Sequence, residues 1–177
     1  MNKTEITLEY GKKIEIYDDI LPMKIRVDLY LLAKDAQYKI GWHDSDQPEH
    51  RAVDNPLHSE MPLFVLNTIG FLDYTKELLE GYELADKATI NLTLPSNTHF
   101  VHTHDYSKIL LYYVNLDWNE GYMGETLFYS ENKKSIQYAS PYVPGRIIVF
   151  DGSIPHTIRP QSFMAPMHRF TLAVKLK

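Results

Sequence analysis

Hydrophobic positions recur along this chain with two different periods. Over residues 20–35, Leu21, Ile25, Leu29 and Leu32 are spaced four, four and three apart, which places them on one face of a helix. Residues 61–80, MPLFVLNTIGFLDYTKELLE, read as a second and more hydrophobic helix ended by Gly81. Between them, residues 43–60 are polar and broken by Pro48 and Pro56. Loops of this length in compact domains often serve as lids or binding segments.

From residue 87 the pattern changes to short β-branched and aromatic segments: KATINLTL, FVHTH, KILLYYVNL, ETLFY, SIQYA, RIIVF, HTIRP and RFTLAVKL. Turn signals at Pro95-Ser96-Asn97, Pro144-Gly145 and Asp151-Gly152 separate them, so they predict about eight strands. Helices followed by strands predict a mainly β, α+β fold. A helical support region, about residues 18–82, would pack on one sheet of a jelly-roll core, about residues 87–177. The mouth of such a core is a common site for small ligands.

A length of 177 residues fits one domain, 1–177, and a 44% hydrophobic share suits a packed chain rather than a disordered one. Cysteine is absent, which excludes disulfides, thiolate metal sites and thiol nucleophiles; any metal must be held by nitrogen and oxygen. The N-terminal MNKTEITLEYGKKIEIYDD lacks the apolar core of a secretion signal, and no stretch approaches the ~18 apolar residues that span a bilayer. The expectation is a cytoplasmic protein with no membrane partner. A formal charge of −5 gives no basic footprint, so nucleic acid is not an expected partner.

The chemistry gathers in HTHDYSKILLYYVN, residues 102–115. Residues i and i+2 of a strand face the same side, so His102 and His104 point together into the mouth. His156, in FDGSIPHTIRP, offers a third imidazole from a neighbouring strand. Three neutral imidazoles suit iron, zinc, copper or nickel without choosing among them. A chain with eight histidines produces some close pairs by chance, and His43, His50, His58, His99 and His168 carry less weight than these three.

The ordered series H-x-H, LLYYVNLDW, MGETLFY, PGRIIVFDGSIPH and RFTLAVK resembles the 2-oxoglutarate/Fe(II)-dependent oxygenases, in their prolyl-hydroxylase-like branch. The resemblance covers residues 87–177 closely and residues 15–42 less specifically. It implies a double-stranded β-helix (jelly-roll) core, with His102 as the first iron ligand and His156 as the distal one. Arg169, thirteen residues after His156, would pair with the distal carboxylate of 2-oxoglutarate, for which its planar fork is suited. Tyr113 would support the same carboxylate.

At the family's aspartate position this chain has His104. Two assignments stay open: a three-histidine set of His102, His104 and His156, favoured because a regular strand aims Asp105 away from His102, or a bulge that turns Asp105 inward. The three-histidine set leaves Fe(II) its full charge, so a 2-oxoglutarate complex would be neutral. Gly124-Glu125-Thr126 resembles the family's GGE turn with Met123 in place of the first glycine. Asn91 and Asn115 read as strand-end hydrogen-bonding residues, Arg159 as an anion contact or a strand brace, and Trp42, His43 and Asp44 as substrate rim or surface turn.

The resemblance implies an oxygenase, and a hydroxylase in particular, that uses Fe(II), 2-oxoglutarate and O2 and forms succinate and carbon dioxide. Two alternatives remain: a cupin-like three-histidine metal enzyme that does not use 2-oxoglutarate, and a non-enzymatic jelly-roll binding module. The substrate is a small molecule or a peptide, with residues 36–60 the segment expected to select it. Exposed edges of β-rich domains often pair, so a homodimer is one option.

Overall fold

A computed structural model describes residues 2–41, 57–97 and 99–177. Eleven strands and three helices carry the fold among these residues. They are β1 (Asn2–Thr7), β2 (Lys13–Asp18), α1 (Met23–Asp35), β3 (Lys39–Ile40), β4 (Leu57–Pro62), α2 (Leu63–Thr68), α3 (Phe71–Leu79), β5 (Lys87–Thr93), β6 (Lys108–Tyr113), β7 (Thr126–Tyr129), β8 (Ile136–Ser140), β9 (Ile147–Asp151), β10 (His156–Ile158) and β11 (Arg169–Leu176). Eight strands form a major sheet in the order β1-β2-β9-β6-β11-β5-β4-β3, and β10-β7-β8 form a minor one. All pairings are antiparallel. This is the jelly roll that the strand pattern predicts, with the helices on one face of the larger sheet.

The two faces of the major sheet are read directly from period-two alternation. On β11, Phe170, Leu172, Val174 and Leu176 join the core beneath the helices, together with Leu110 and Tyr112 of β6 and Ile147 and Val149 of β9. The intervening Arg169, Thr171, Ala173 and Lys175 line a cavity between the sheets. All eight residues of β11 are buried, as expected of a strand flanked on both sides and covered on both faces.

Helix α1 follows Pro22, whose fixed φ suits a helix start, and buries Ile25, Leu29 and Ala33. The single helix expected over 61–80 is instead a strand end and two short helices. Met61 and Pro62 belong to β4, and the helical path breaks at Gly70, which takes φ +84°. A side chain there would meet Ile25 Cδ1 at 3.5 Å, so the corner between α2 and α3 sits close on α1. The long loop expected over 43–60 gives way to β4 from Leu57, and residues 42–56 lie outside the described residues. The N-terminal hairpin β1–β2 joins the major sheet through β9, an extension of the core beyond the strands expected from residue 87 onward. No helix among the described residues is long and apolar enough to cross a membrane.

Candidate metal centre

The segment expected as the strand FVHTH is held at two points rather than as a full ladder. His102 and His156 exchange both backbone hydrogen bonds, N–H to O at 3.0 Å in each direction, which adds residue 102 to the open edge of β10. Two residues on, the His104 N–H donates to Gly152 O at 2.7 Å. Gly152 lies in the Asp-Gly turn that follows β9, where a Cβ would stand 2.1 Å from Tyr106 O. The turn and the histidine segment therefore approach as closely as only glycine permits.

These bonds bring three imidazoles together. Ring centroids are 5.0 Å apart for His102–His104, 4.5 Å for His102–His156 and 5.0 Å for His104–His156. One nitrogen from each lies within 4.8 Å of the other two. His102 Nδ1 approaches Phe100 O at 3.2 Å, and His156 Nδ1 approaches Ile154 O at 2.8 Å. A carbonyl can only accept, so in the neutral rings Nδ1 carries the proton and Nε2 keeps a lone pair for a metal. Burial pushes His156 down to about 3, with His104 adding to the effect and the Ile154 carbonyl opposing it. Burial likewise brings His104 to about 4, opposed by Asp105. Both rings are thus neutral near pH 7, the form a metal requires. Asp105 is exposed and stands outside the cluster, so the geometry groups the three histidines and not the carboxylate.

At the other end of the same cavity lies Arg169, fully buried. Its Nε donates to Gly124 O at 2.9 Å, while Nη1 and Nη2 are buried without a hydrogen-bond partner. The guanidinium packs over the rings of Tyr142 and Tyr113, 4.6 and 5.6 Å from their centroids. Gly124 is needed there because a Cβ would stand 3.1 Å from Arg169 Cδ and Nε. Met123, in the place of the first glycine of that turn, adopts φ +61° and takes the Trp118 indole hydrogen bond on its carbonyl. Tyr113 does not reach the cavity surface directly. Its hydroxyl donates to Thr126 Oγ1 at 2.7 Å, and Thr126 lines the cavity.

Two cavity residues stand out only in three dimensions. His99 lines the cavity with its Nε2 buried and unpartnered; burial, and Arg169 secondarily, bring it to about 4. Lys175 shares the inward face of β11 with Arg169. The period of RFTLAVKL places Lys175 on that face, but nothing in the sequence marks the face as a cavity wall. Asn91 lines the cavity, whereas Asn115 is structural, bonded to the Phe170 N–H, His168 O and Tyr142. Arg159 braces β10, donating its N–H to Glu125 O and pairing with the Glu125 carboxylate at 3.4 Å. Trp42, His43, Asp44 and His50 lie outside the described residues.

No protein-family model and no curated protein matches this chain. Solved structures do. A prolyl hydroxylase from Trichoplax adhaerens, in complex with a hypoxia inducible factor oxygen degradation domain peptide, superposes with a TM-score of 0.64 at 14% identity, over 92% of this chain and 82% of its own. A Pseudomonas putida prolyl-4-hydroxylase gives 0.61 at 15% identity, covering 93% and 91%. An oxidoreductase of the 2-oxoglutarate–Fe(II) oxygenase family from Burkholderia pseudomallei gives 0.62 at 12%, covering 96% and 86%. At these identities the likeness is one of architecture, and it agrees with the strand order and helical cover described above: the chain has the prolyl-hydroxylase-like jelly-roll fold of the 2-oxoglutarate–Fe(II) oxygenases.

Proposed function

We propose that this protein is a 2-oxoglutarate- and Fe(II)-dependent oxygenase that hydroxylates its substrate, acting as a single cytoplasmic domain over residues 1–177. The observation that carries the reading is the pairing, in one cavity, of three clustered imidazoles with a fully buried arginine whose two terminal nitrogens have no hydrogen-bond partner. A buried guanidinium left in that state costs several kcal/mol, and a carboxylate accepting from both nitrogens offsets the cost. A metal held by His102, His104 and His156 accounts for one end of the cavity, and an acid reaching Arg169 accounts for the other.

Each residue then has a part. His102 and His156 present Nε2 to the metal because their Nδ1 protons go to backbone carbonyls, and His104 is set by its backbone bond to Gly152. Arg169 holds the distal carboxylate of 2-oxoglutarate, and His99 donates to the same acid. Tyr113 supports that end through Thr126. Iron(II), when bound, would supply the oxygen-activating redox chemistry, in which 2-oxoglutarate loses carbon dioxide and takes one atom of O2 to become succinate while the other atom enters the substrate's C–H bond. The apolar walls, Ile109, Leu111 and Phe150 among them, keep bulk water from the reacting groups.

A cupin-like reading without 2-oxoglutarate explains the three histidines equally well, but leaves Arg169 buried with nothing to bind. The test is an anaerobic titration of Fe(II)-loaded protein with 2-oxoglutarate, followed by the visible absorption that an iron-chelated α-keto acid produces, and then a succinate assay in air. The expected result is a band and 2-oxoglutarate-dependent succinate, both lost in H156A and weakened in R169Q. Absence of the band at saturating 2-oxoglutarate in wild type sinks the proposal.

A further inference from the structure

The larger sheet ends in β1, which has β2 on one side and, among the described residues, no strand on the other. Asn2, Lys3, Thr4, Glu5 and Thr7 are exposed and Ile6 is half-buried. The strand contains no proline and keeps one unbroken register with β2. The other edges offer less: β3 has two residues, β8 carries a shift in register against β7, and the free side of β10 takes up His102. An uninterrupted edge of this kind is a template for one more strand.

The direction of its unpaired backbone groups follows from the hairpin. The Leu8 N–H donates to Lys12 O at 2.8 Å, and the same register pairs Ile6 with Ile14, Thr4 with Ile16 and Asn2 with Asp18. Hydrogen-bonded and non-bonded pairs alternate in an antiparallel ladder, so the even-numbered residues bond to β2 while Lys3, Glu5 and Thr7 turn their N–H and C=O outward. A second copy of β1, running antiparallel, must set outward residues against outward residues, which leaves few registers. Lys3 against Lys3, or Glu5 against Glu5, opposes like charges. Glu5 against Thr7 leaves only a short overlap. With Thr4 on a two-fold axis, however, Lys3 faces the second copy's Glu5 and Glu5 faces its Lys3, each pair exchanging both backbone hydrogen bonds, and Thr4 meets Thr4. Within one copy, Lys3 already pairs with Glu15 at 3.2 Å and Glu5 with Lys13 at 2.8 Å, on one face of the hairpin. Joining the edges in this register continues those pairs into a ladder of alternating charge across four strands. The lysine that would repel an arbitrary strand is thus matched by the chain's own sequence.

We propose that β1 is a homodimerisation edge, at which two copies of this chain join antiparallel about Thr4 into one continuous sheet. The contact uses the same patch on both copies and closes on itself. It lies outside the cavity, so the inference stands independently of the proposed function. The test is sedimentation equilibrium of the full chain over a wide concentration range, at low and high salt. Wild type should show a reversible monomer–dimer equilibrium that weakens with salt, because exposed charge pairs are screened. K3E and E5K each set like charges opposite one another and should each weaken dimerisation by at least about tenfold. Both change exposed side chains, and thermal melts verify the fold. Mixed in equal amounts, the two variants oppose acid and base at both pairs and should recover wild-type affinity as a heterodimer. A wild type that stays monomeric, a dimer indifferent to both substitutions, or a mixture that fails to associate overturns the proposal.

Discussion

Replacing Gly152 with alanine tests whether the metal centre is held by backbone packing as described. The new Cβ would stand 2.1 Å from Tyr106 O and 3.0 Å from His104 O. Carbon–oxygen contacts settle near about 3.3 Å, so the turn and the 104–107 segment must part by about 1 Å. That movement acts on the 2.7 Å bond from the His104 N–H to Gly152 O, which sets the imidazole. Metal–ligand distances tolerate only about 0.2 Å. The strain should cost about 1–3 kcal/mol of stability, a fall in Tm of roughly 2–12 °C for a chain of this size. Metal affinity should drop by about 10–100-fold, as when a group that orients a ligand is lost. Zn(II) titration calorimetry and a thermal melt measure the two effects. Gly11→Ala is the control: nothing lies within 4 Å of its Cβ, although its φ is +82°, so it should lose some stability while keeping wild-type metal affinity. Wild-type metal affinity in G152A would refute the idea that this turn positions His104.

Three further outcomes follow from the site. R169Q removes two charge-assisted hydrogen bonds to the distal carboxylate and should weaken 2-oxoglutarate binding to the Mn(II) protein by about 10–100-fold, measured by calorimetry; an unchanged affinity would place the cosubstrate elsewhere. Metal at a hundred times its Kd should stabilise wild type by about 2.7 kcal/mol, seen as a higher Tm than in the chelator-treated protein, and H156A should show no such rise. The folded-state values of about 4 for His104 and about 3 for His156 lie below the ordinary value of about 6.5. As pH falls below about 6.5 the unfolded chain takes up these protons first, so the metal-free protein should lose stability progressively down to about pH 4 and change little on this account above pH 7. A denaturant series from pH 4 to 8 checks this, with a shallower slope expected in H156A; an identical slope there would remove His156 from the explanation.

The sequence makes the jelly roll and the three histidines legible because each leaves a local signal. RFTLAVKL appears as β11 over the expected residues, and His102, His104 and His156 sit at strand-like spacing or just after a recognisable turn. The helical region is less legible. Met61, Leu66, Phe71 and Leu79 all enter one core, so the apolar pattern runs on through Pro62 and Gly70 although the backbone changes direction twice. β1 is almost wholly exposed and offers no alternation to read, whereas the buried Ile14 and Ile16 of β2 are a signal the sequence does carry. Asp105 and His104 are adjacent, and only the paired backbone bonds at 102 and 104 decide which side chain turns inward. His99 and Lys175 are invisible for another reason: a residue's position along the chain says nothing about which cavity it faces until the neighbouring strands are in place.

The reciprocal pairing of His102 with His156 joins two points 54 residues apart and sets two of the three clustered imidazoles opposite each other in one ladder. Closing this sheet edge and assembling the centre are thus a single event. A slip of one residue in that pairing would not merely misalign the ligands but turn one of them out of the cavity. An ion held there as proposed would act as a proofreader of register, rewarding only the correctly aligned chain and making refolding yield sensitive to the metal supplied. For an engineer the same feature divides the chain. The exposed turn between β7 and β8, residues 131–135, is open to changes of length, whereas single-residue insertions from His102 to His104, or from Gly152 to His156, would erase the centre while leaving most of the fold standing.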